Sequence, residues 1–326
     1  MEWEVFLLCE KTFKNLDEQL TILKSRGIEI SDDNIVKDYL LTNNYYNIIN
    51  GYSRPFLKQK EEYLPGTQFS EIKYLYFFDE EIKRLLFHSI LLAEHHIKSV
   101  FAYRFAEAYP DEEYAYLDVN SFDHSKSISI AYIINKLNQI LNKNKKYSNN
   151  AIHHYVKKYH NVPIWVFVDF IDFGELQTLL NVLRKPIQNK IAKDLTKFVK
   201  DNISNSEALF PPEIMLSLIK NVHETRNICA HNKRLIYFKC REDSFYFPPL
   251  DDKYGIKPND QRRDVYTTFL SLQCFLSKIE FAELNNSIRK RIRRILVKQI
   301  HTVDVNSILS LYGFPNDWHE LEPLQQ

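Results

Sequence analysis

The chain has 326 residues and a formal net charge of +1, from 43 Lys and Arg against 42 Asp and Glu. This balance excludes a global electrostatic attraction to nucleic acid, so any RNA contact must come from local basic clusters. The four cysteines have neither C-x-x-C nor metal-ligand spacing, which argues against a disulfide framework or structural zinc and is typical of a reducing compartment. They are Cys9, Cys229, Cys240 and Cys274. We expect a cytoplasmic protein with no metal and no cofactor.

Helical periodicity dominates the chain. Apolar residues recur at intervals of three and four, and the runs end at Gly, Pro or charged loops. In chain order, the predicted helices cover residues 13–27, 31–40, 71–107, 130–141, 163–183, 187–200, 211–231, 265–281, 288–300 and a short stretch after 304. Gly174 is expected to interrupt the run 163–183, and Pro211-Pro212 to start the helix before His231. No apolar run approaches about 18 residues, so no membrane span is expected.

The absence of repeats, low-complexity stretches and strand-rich regions predicts an all-α fold. Helix breakers, among them Pro248, Pro249 and Gly255, punctuate residues 241–260 and mark the clearest boundary in the chain. The predicted parts are an N-terminal helical region (1–66), a helical core that carries an Arg-x4-His motif (67–240), and a C-terminal helical extension with a basic helix (241–326).

The main chemical signal is this motif, Arg226-Asn227-Ile228-Cys229-Ala230-His231, near the end of a predicted helix. A guanidinium is always charged and can hold phosphate oxygens by paired hydrogen bonds, whereas an imidazole moves protons near neutral pH. These groups suit cleavage of an RNA backbone without a metal. We predict Arg226, Asn227 and His231 as catalytic residues, with Asn227 orienting the phosphate or the imidazole. His223 is left out of this set.

An ideal helix separates Arg226 from His231 by roughly 140°, given about 100° per residue, so a straight helix does not bring the two side chains together. Two solutions remain open. Either the helix distorts near its end, or Arg226 and His231 face their copies across a two-fold axis. Glu224 lies about two turns before His231 and would fix that ring only across such an axis.

Four features, the motif among them, point in chain order to a known family. They are Asn44-Tyr45-Tyr46 through Arg54-Pro55-Phe56, Tyr76-Phe77-Phe78-Asp79 with Ile82-Lys83-Arg84-Leu85-Leu86, Pro163-Ile164-Trp165 with Phe173-Gly174-Glu175-Leu176, and the motif extended to Leu235. Together they resemble the Abi-like (abortive infection) branch of the HEPN superfamily of helical ribonucleases and nucleotide-binding domains. The resemblance covers about residues 10–240. It implies a HEPN-like helical bundle and a homodimer with a composite cleft. The chain departs from the family at Asn232, where a second histidine is common, and near Lys98, where an arginine is common.

Two sets of basic residues are predicted RNA contacts. One set accompanies the motif, and the other lies in the run 288–298, whose isoleucines would pack inward while the cations face out. The predicted contacts are Lys98, Lys233, Arg234, Arg289, Arg291, Arg293 and Arg294. The alternatives are a solvated amphipathic helix for the basic run and, for Lys98, a surface pair with Glu94.

These patterns favour a metal-independent endoribonuclease of phage defence. The 2′-hydroxyl of RNA would attack the adjacent phosphate while Arg226 stabilises the charge and His231 transfers protons. Two alternatives remain open, a non-catalytic RNA-binding module that holds a structured partner RNA, and the toxin of a toxin–antitoxin pair. The expected partners are RNA and a second copy of the chain, with no membrane.

Overall fold

The computed structural model describes residues 12–203 and 209–325. Cys9 lies outside these ranges. Helices account for most of the described residues, and the strands in this part of the chain form one antiparallel hairpin of Leu57–Gln59 (β1) and Glu62–Tyr63 (β2). The predicted all-α fold is confirmed. No helix among these residues is long and apolar enough to cross a membrane.

The helices follow one another with short connections. Within the described ranges the α-helices are α1 Leu16–Ser25, α2 Asp33–Asn43, α3 Tyr45–Tyr52, α4 Phe69–Ala108, α5 Ser127–Asn144, α6 Ala151–Tyr159, α7 Ile164–Phe167, α8 Phe173–Val182, α9 Lys185–Asn202, α10 Pro212–Ala230, α11 Pro248–Asp251, α12 Val265–Ser271, α13 Lys278–Arg291 and α14 Val305–Ser310. A π-helical segment, Ile292–Val297, follows α13.

Several helix boundaries follow the chemistry of their end residues. Gly27, just past α1, has φ +95°, a left-handed conformation that glycine adopts readily. Asp32 caps α2, because its carboxylate accepts hydrogen bonds from two backbone N–H groups of the first turn. Pro212 begins α10 as the sequence predicts.

Two predicted helices are divided in the structure. The run 163–183 breaks before Asp172 and not at Gly174, because the Asp172 carboxylate caps α8 and Gly174 lies inside its first turn. The run 265–281 contains the end of α12 and the start of α13, where Ser277 and Glu280 exchange hydrogen bonds. In both places a polar side chain satisfies backbone groups that a continuous helix would otherwise bond internally.

The described residues belong to two compact units. One comprises the described residues within Met1–Glu80 and Arg291–Leu309, and the other comprises those within Glu81–Lys290 and Ser310–Gln326. Each unit combines segments that are distant in sequence, so the units differ from the three predicted parts. Within the second unit, α8 packs against both α5 and α10 and buries its leucines completely. This packing positions the site described below.

In the first unit, a buried carboxylate connects the start of α4 to the segment before α14. Glu71 accepts hydrogen bonds from the backbone N–H groups of Gln68, His301 and Thr302 and from the Thr302 hydroxyl, at 2.6–3.0 Å. Burial raises the pKa of Glu71, but these four bonds favour the carboxylate more strongly and hold the pKa below its usual value. Glu71 therefore stabilises the fold as an anion.

We expect Glu71→Gln to lower the free energy of unfolding by about 2 kcal/mol near neutral pH, because the amide leaves buried donors without an acceptor. The deficit should shrink in acid. The unfolded carboxyl group takes up its proton near the usual pKa of 4.5, so the wild-type advantage is lost as pH falls from there through the lower native pKa. Urea unfolding of the wild type and the variant, near neutral pH and again in acid, measures this difference in stability, with the exposed Glu283→Gln as control. A deficit independent of pH would contradict the charged anchor.

Candidate functional site

The motif lies where α10 ends. Asn232 adopts the left-handed conformation, with φ +49°. Its N–H donates to the Cys229 carbonyl at 3.2 Å, and the Lys233 N–H donates to the Ile228 carbonyl at 3.0 Å, which together form a Schellman motif. Asparagine is enriched among the non-glycine residues that adopt this conformation. The helix end therefore places His231 at the C-cap with an exposed side chain.

Two neighbours of the motif bind other parts of the chain. The Asn232 side-chain oxygen accepts a hydrogen bond at 2.7 Å from the ammonium of Lys83, which is buried on α4. Glu224 accepts a hydrogen bond from the backbone N–H of Arg241 at 3.0 Å. Both side chains hold segments beside α10, and within the described residues neither pairs with His231.

One cavity of about 650 Å³, here called the motif cavity, contains all three predicted catalytic residues of a single chain. Arg226, Asn227 and His231 line it from the end of α10. The remaining lining residues come from α5, from α8 with its N-cap, and from α10, and are Tyr132, Lys136, Asp172, Phe173, Gly174, Glu175, Gln177, Thr178, Asn181 and His223. A second copy of the chain is therefore not needed to bring Arg226 and His231 to the same space.

His223, which is outside the set predicted from the sequence, lies in the motif cavity with both ring nitrogens hydrogen bonded. Nδ1 lies 2.7 Å from Gln177 Oε1, and Nε2 lies 3.0 Å from Asn227 Nδ2. Because Oε1 only accepts and Nδ2 only donates, the ring carries its proton on Nδ1 and is neutral. The four-residue spacing from His223 to Asn227 was a visible signal. No comparable signal pointed to Gln177, which lies 46 residues away in sequence.

The surroundings of His223 favour this neutral ring. Burial lowers the pKa of His223 most strongly, and the positive charge of Arg226 lowers it further. The carboxylates of Asp172, Glu224 and Glu94 act in the opposite direction without reversing the shift. The pKa therefore lies below its usual value of 6.5, and at neutral pH His223 acts as a hydrogen-bonding group and not as a cation.

The Arg226 guanidinium is partly enclosed but not neutralised. Its Nη1 donates to Asn227 Oδ1 at 3.3 Å, and its Cζ lies 5.7 Å from the centroid of the Phe87 ring. Across residues 12–203 and 209–325, no carboxylate forms an ion pair with Arg226, and its Nε is buried without a hydrogen-bond partner. An arginine held against an aromatic face with unused donors is suited to bind an anion such as phosphate.

Gly174 lies in the first turn of α8, beside the His223 ring. A Cβ at this position would be 3.2 Å from Asp172 Oδ1, which is tighter than most real contacts, and 3.4 Å from ring atoms of His223, which is van der Waals contact. The ring also meets Phe173 edge to face, with centroids 5.5 Å apart. The glycine that the sequence suggested as a helix break instead lies inside α8, beside the His223 ring of α10.

The acidic groups of the motif cavity cap α8. Asp172 Oδ1 accepts from the Glu175 N–H at 2.8 Å, and Glu175 Oε2 accepts from the Asp172 N–H at 2.6 Å. Burial opposes ionisation of both, but backbone N–H groups hold the pKa of Asp172 below its usual value, whereas the pKa of Glu175 is raised. Among the described residues, no group of three or more His, Cys, Asp or Glu is placed to hold a metal ion.

Lys98 is not among the residues that line the motif cavity. Its ammonium lies 2.9 Å from Glu94 Oε1 and donates to the Ile171 carbonyl at 2.7 Å. It lines a second cavity of about 710 Å³, together with exposed Trp165 and Tyr103. The i,i+4 pair with Glu94 is therefore present, but it is largely enclosed and not on the surface as the alternative reading assumed.

The other predicted RNA contacts differ in exposure. Lys233 and Arg234 are exposed just after α10 but do not line the motif cavity. In the basic run the isoleucines are buried as predicted, and Arg293 and Arg294 are exposed. Arg289, however, is only 2% exposed; its guanidinium donates to the Glu322 carbonyl and its Cζ lies 5.9 Å from the Trp318 ring centroid. Arg289 is thus occupied within the protein.

Comparison with known proteins identifies the family. The model of the family described as Abi-like protein matches residues 38–237, which include the start of α8 and the entire motif. No curated protein and no solved structure matches the chain. Because the matched span exceeds half of the sequence, the chain belongs to the Abi-like protein family.

Proposed function

We propose that this Abi-like protein is a metal-independent endoribonuclease of the HEPN type that acts in the cytoplasm during abortive infection. Membership of the family suggests a role in phage defence. The observation that carries the enzymatic part of the proposal is the motif cavity, where a guanidinium that pairs with no carboxylate of the described residues lies with an amide and an exposed histidine.

In the proposed reaction, the 2′-oxygen of a ribose forms a bond to the adjacent phosphorus, and the bond from phosphorus to the next 5′-oxygen breaks. The nucleophile is already tethered, so the site chiefly orients it and stabilises charge. His231 accepts the proton of the 2′-hydroxyl and returns a proton to the departing 5′-oxygen. Arg226 donates to the non-bridging oxygens as negative charge builds on them. The products are a 2′,3′-cyclic phosphate and a 5′-hydroxyl.

The roles of the three residues are supported by their surroundings. The His231 ring makes no hydrogen bond to any residue that the structure describes, so both nitrogens are available to substrate. Asn227 uses its oxygen for Arg226 and its nitrogen for His223, which suits it to orient the guanidinium. We also propose a homodimer. That part rests on the resemblance to the HEPN superfamily, because one chain already brings Arg226 and His231 to one cavity.

The purified protein should cleave single-stranded RNA in excess EDTA, because the proposed reaction uses only Arg and His side chains. Mass spectrometry of the fragments should find cyclic phosphate and 5′-hydroxyl ends. Strict dependence on Mg²⁺ or Mn²⁺ would contradict this mechanism. Tight RNA binding without cleavage, in isolated protein and in infected cells, would favour the RNA-binding module instead.

Arg226→Ala and His231→Ala should each reduce the cleavage rate by at least about a hundredfold, because each removes a group that acts on the transition state. Circular dichroism and melting temperature should hardly change, since neither side chain belongs to the buried apolar core. The double variant should be little worse than either single variant, as expected for residues that act together. Matched controls are His124→Ala and Arg84→Ala, both exposed and outside the cavity. Full activity of His231→Ala would overturn the proposed role.

If the basic run contacts RNA, the double variant Arg293→Gln/Arg294→Gln should weaken RNA affinity. It should also flatten the dependence of log affinity on log salt by up to about one unit per lost phosphate contact. Folding should survive because the buried isoleucines are untouched. The control Lys14→Gln/Lys60→Gln removes the same charge from other exposed positions. Equal slopes in all three proteins would show that the run is a solvated face.

A further inference from the structure

We propose that His223 is a positioning residue of the motif cavity: through Asn227 it holds the Arg226 guanidinium in place, and it does so only while its ring is neutral. This inference rests on the proposed ribonuclease function, because it assigns Arg226 its task at the phosphate. It concerns a histidine that the Arg-x4-His motif does not include.

The hydrogen bonds form a continuous relay from α8 to Arg226. Gln177 Oε1 accepts from Nδ1–H of His223, and Nε2 of the same ring accepts from Nδ2 of Asn227. With its nitrogen used in this way, Asn227 must turn Oδ1 the other way, where it accepts from Nη1 of Arg226. One arrangement of donors and acceptors satisfies all three contacts, so each member fixes the orientation of the next.

Protonation of His223 would reverse this relay. An imidazolium donates from both nitrogens, so Nε2–H would face the Nδ2–H₂ group of Asn227, donor against donor. Asn227 could restore that contact only by rotating its amide. Its Nδ2–H₂ group would then face the guanidinium, which has no lone pair to offer. The neutral ring is therefore the form that keeps Arg226 in place.

The charges that face His223 come from three sides. Asp172 precedes α8, Glu94 lies on α4, and Glu224 and Arg226 lie on its own helix. The carboxylates favour the protonated ring, whereas burial and Arg226 oppose it and prevail. At neutral pH the relay is intact, and it should be lost as the pH falls through the lowered pKa of His223.

The competing explanation is that His223 only fills space between α8 and α10, since its ring touches Phe173 and approaches Gly174. A filler would be replaceable by any side chain of similar size and would impose no pH dependence. A positioning residue requires an acceptor at the place of Nε2. The two explanations therefore predict different behaviour for glutamine, whose Oε1 can accept at that place but cannot be protonated in this pH range.

The test compares cleavage by wild type, His223→Gln and His223→Ala across about pH 5 to 8. We expect His223→Ala to lose about tenfold or more in kcat with KM changed less than about twofold, because the hold on Arg226 matters most in the transition state. His223→Gln should keep most of the wild-type kcat at neutral pH. Its kcat should also lack the part of the fall at acid pH that protonation of His223 causes in the wild type. An unchanged acid limb in His223→Gln, or equal losses in both variants, would overturn the positioning role.

A second measurement does not depend on catalysis. Ring ¹⁵N shifts of His223 in the intact protein should report the Nδ1–H form, and its titration should lie below 6.5. The side-chain ¹⁵N signals of Arg226 should shift in the same pH range, but not in His223→Gln. A ring protonated on Nε2 would refute the relay even if RNA is cleaved. So would Arg226 signals that do not change over the pH range in which His223 titrates. If the protein cleaves no RNA but these signals behave as expected, the relay stands and the proposed function fails.

Discussion

The close approach of α8 to α10 is the constraint on which the site depends. At the start of α8, Gly174 lies beside the His223 ring, so close that a Cβ there would be in van der Waals contact with it. One turn later, Gln177 is close enough to accept from that ring at 2.7 Å. If the two helices stood about an ångström farther apart, this hydrogen bond would be lost. The ring would then have no fixed tautomer, and Asn227 would have no fixed acceptor.

The site combines a permanent cation with a histidine that must stay neutral, and the two act on each other. Arg226 lowers the pKa of His223, while His223 orients Arg226 through Asn227. An anion bound at Arg226 would therefore act on His223 in two opposite ways: its charge favours the protonated ring, whereas the positioning of Arg226 through Asn227 requires the neutral one. Under the proposed function, phosphate binding and proton uptake by His223 are coupled in this cavity.

What the sequence could predict depends on neighbours along the chain. The apolar periodicity of the helices and the start of α10 at Pro212 follow from local rules, and both are found. Arg226 and His231 could be selected because their chemistry is explicit in the side chains. The contact of His223 with Gln177 spans 46 residues and has no local signature. Arg289 could not be told from its exposed neighbours, because its carbonyl partner lies 33 residues away.

The ammonium of Lys98 is held between Glu94 on α4 and the Ile171 carbonyl, which immediately precedes Asp172. The chain that leads into α8 is thereby fastened to a helix of 40 residues, a stiff support. The conformational entropy of this connecting segment is lost when the protein folds and not when a ligand binds. A cavity wall that is already ordered needs little rearrangement on binding, so more of the contact energy remains for affinity. Lys98 thus helps to order one wall of the motif cavity from a position outside it.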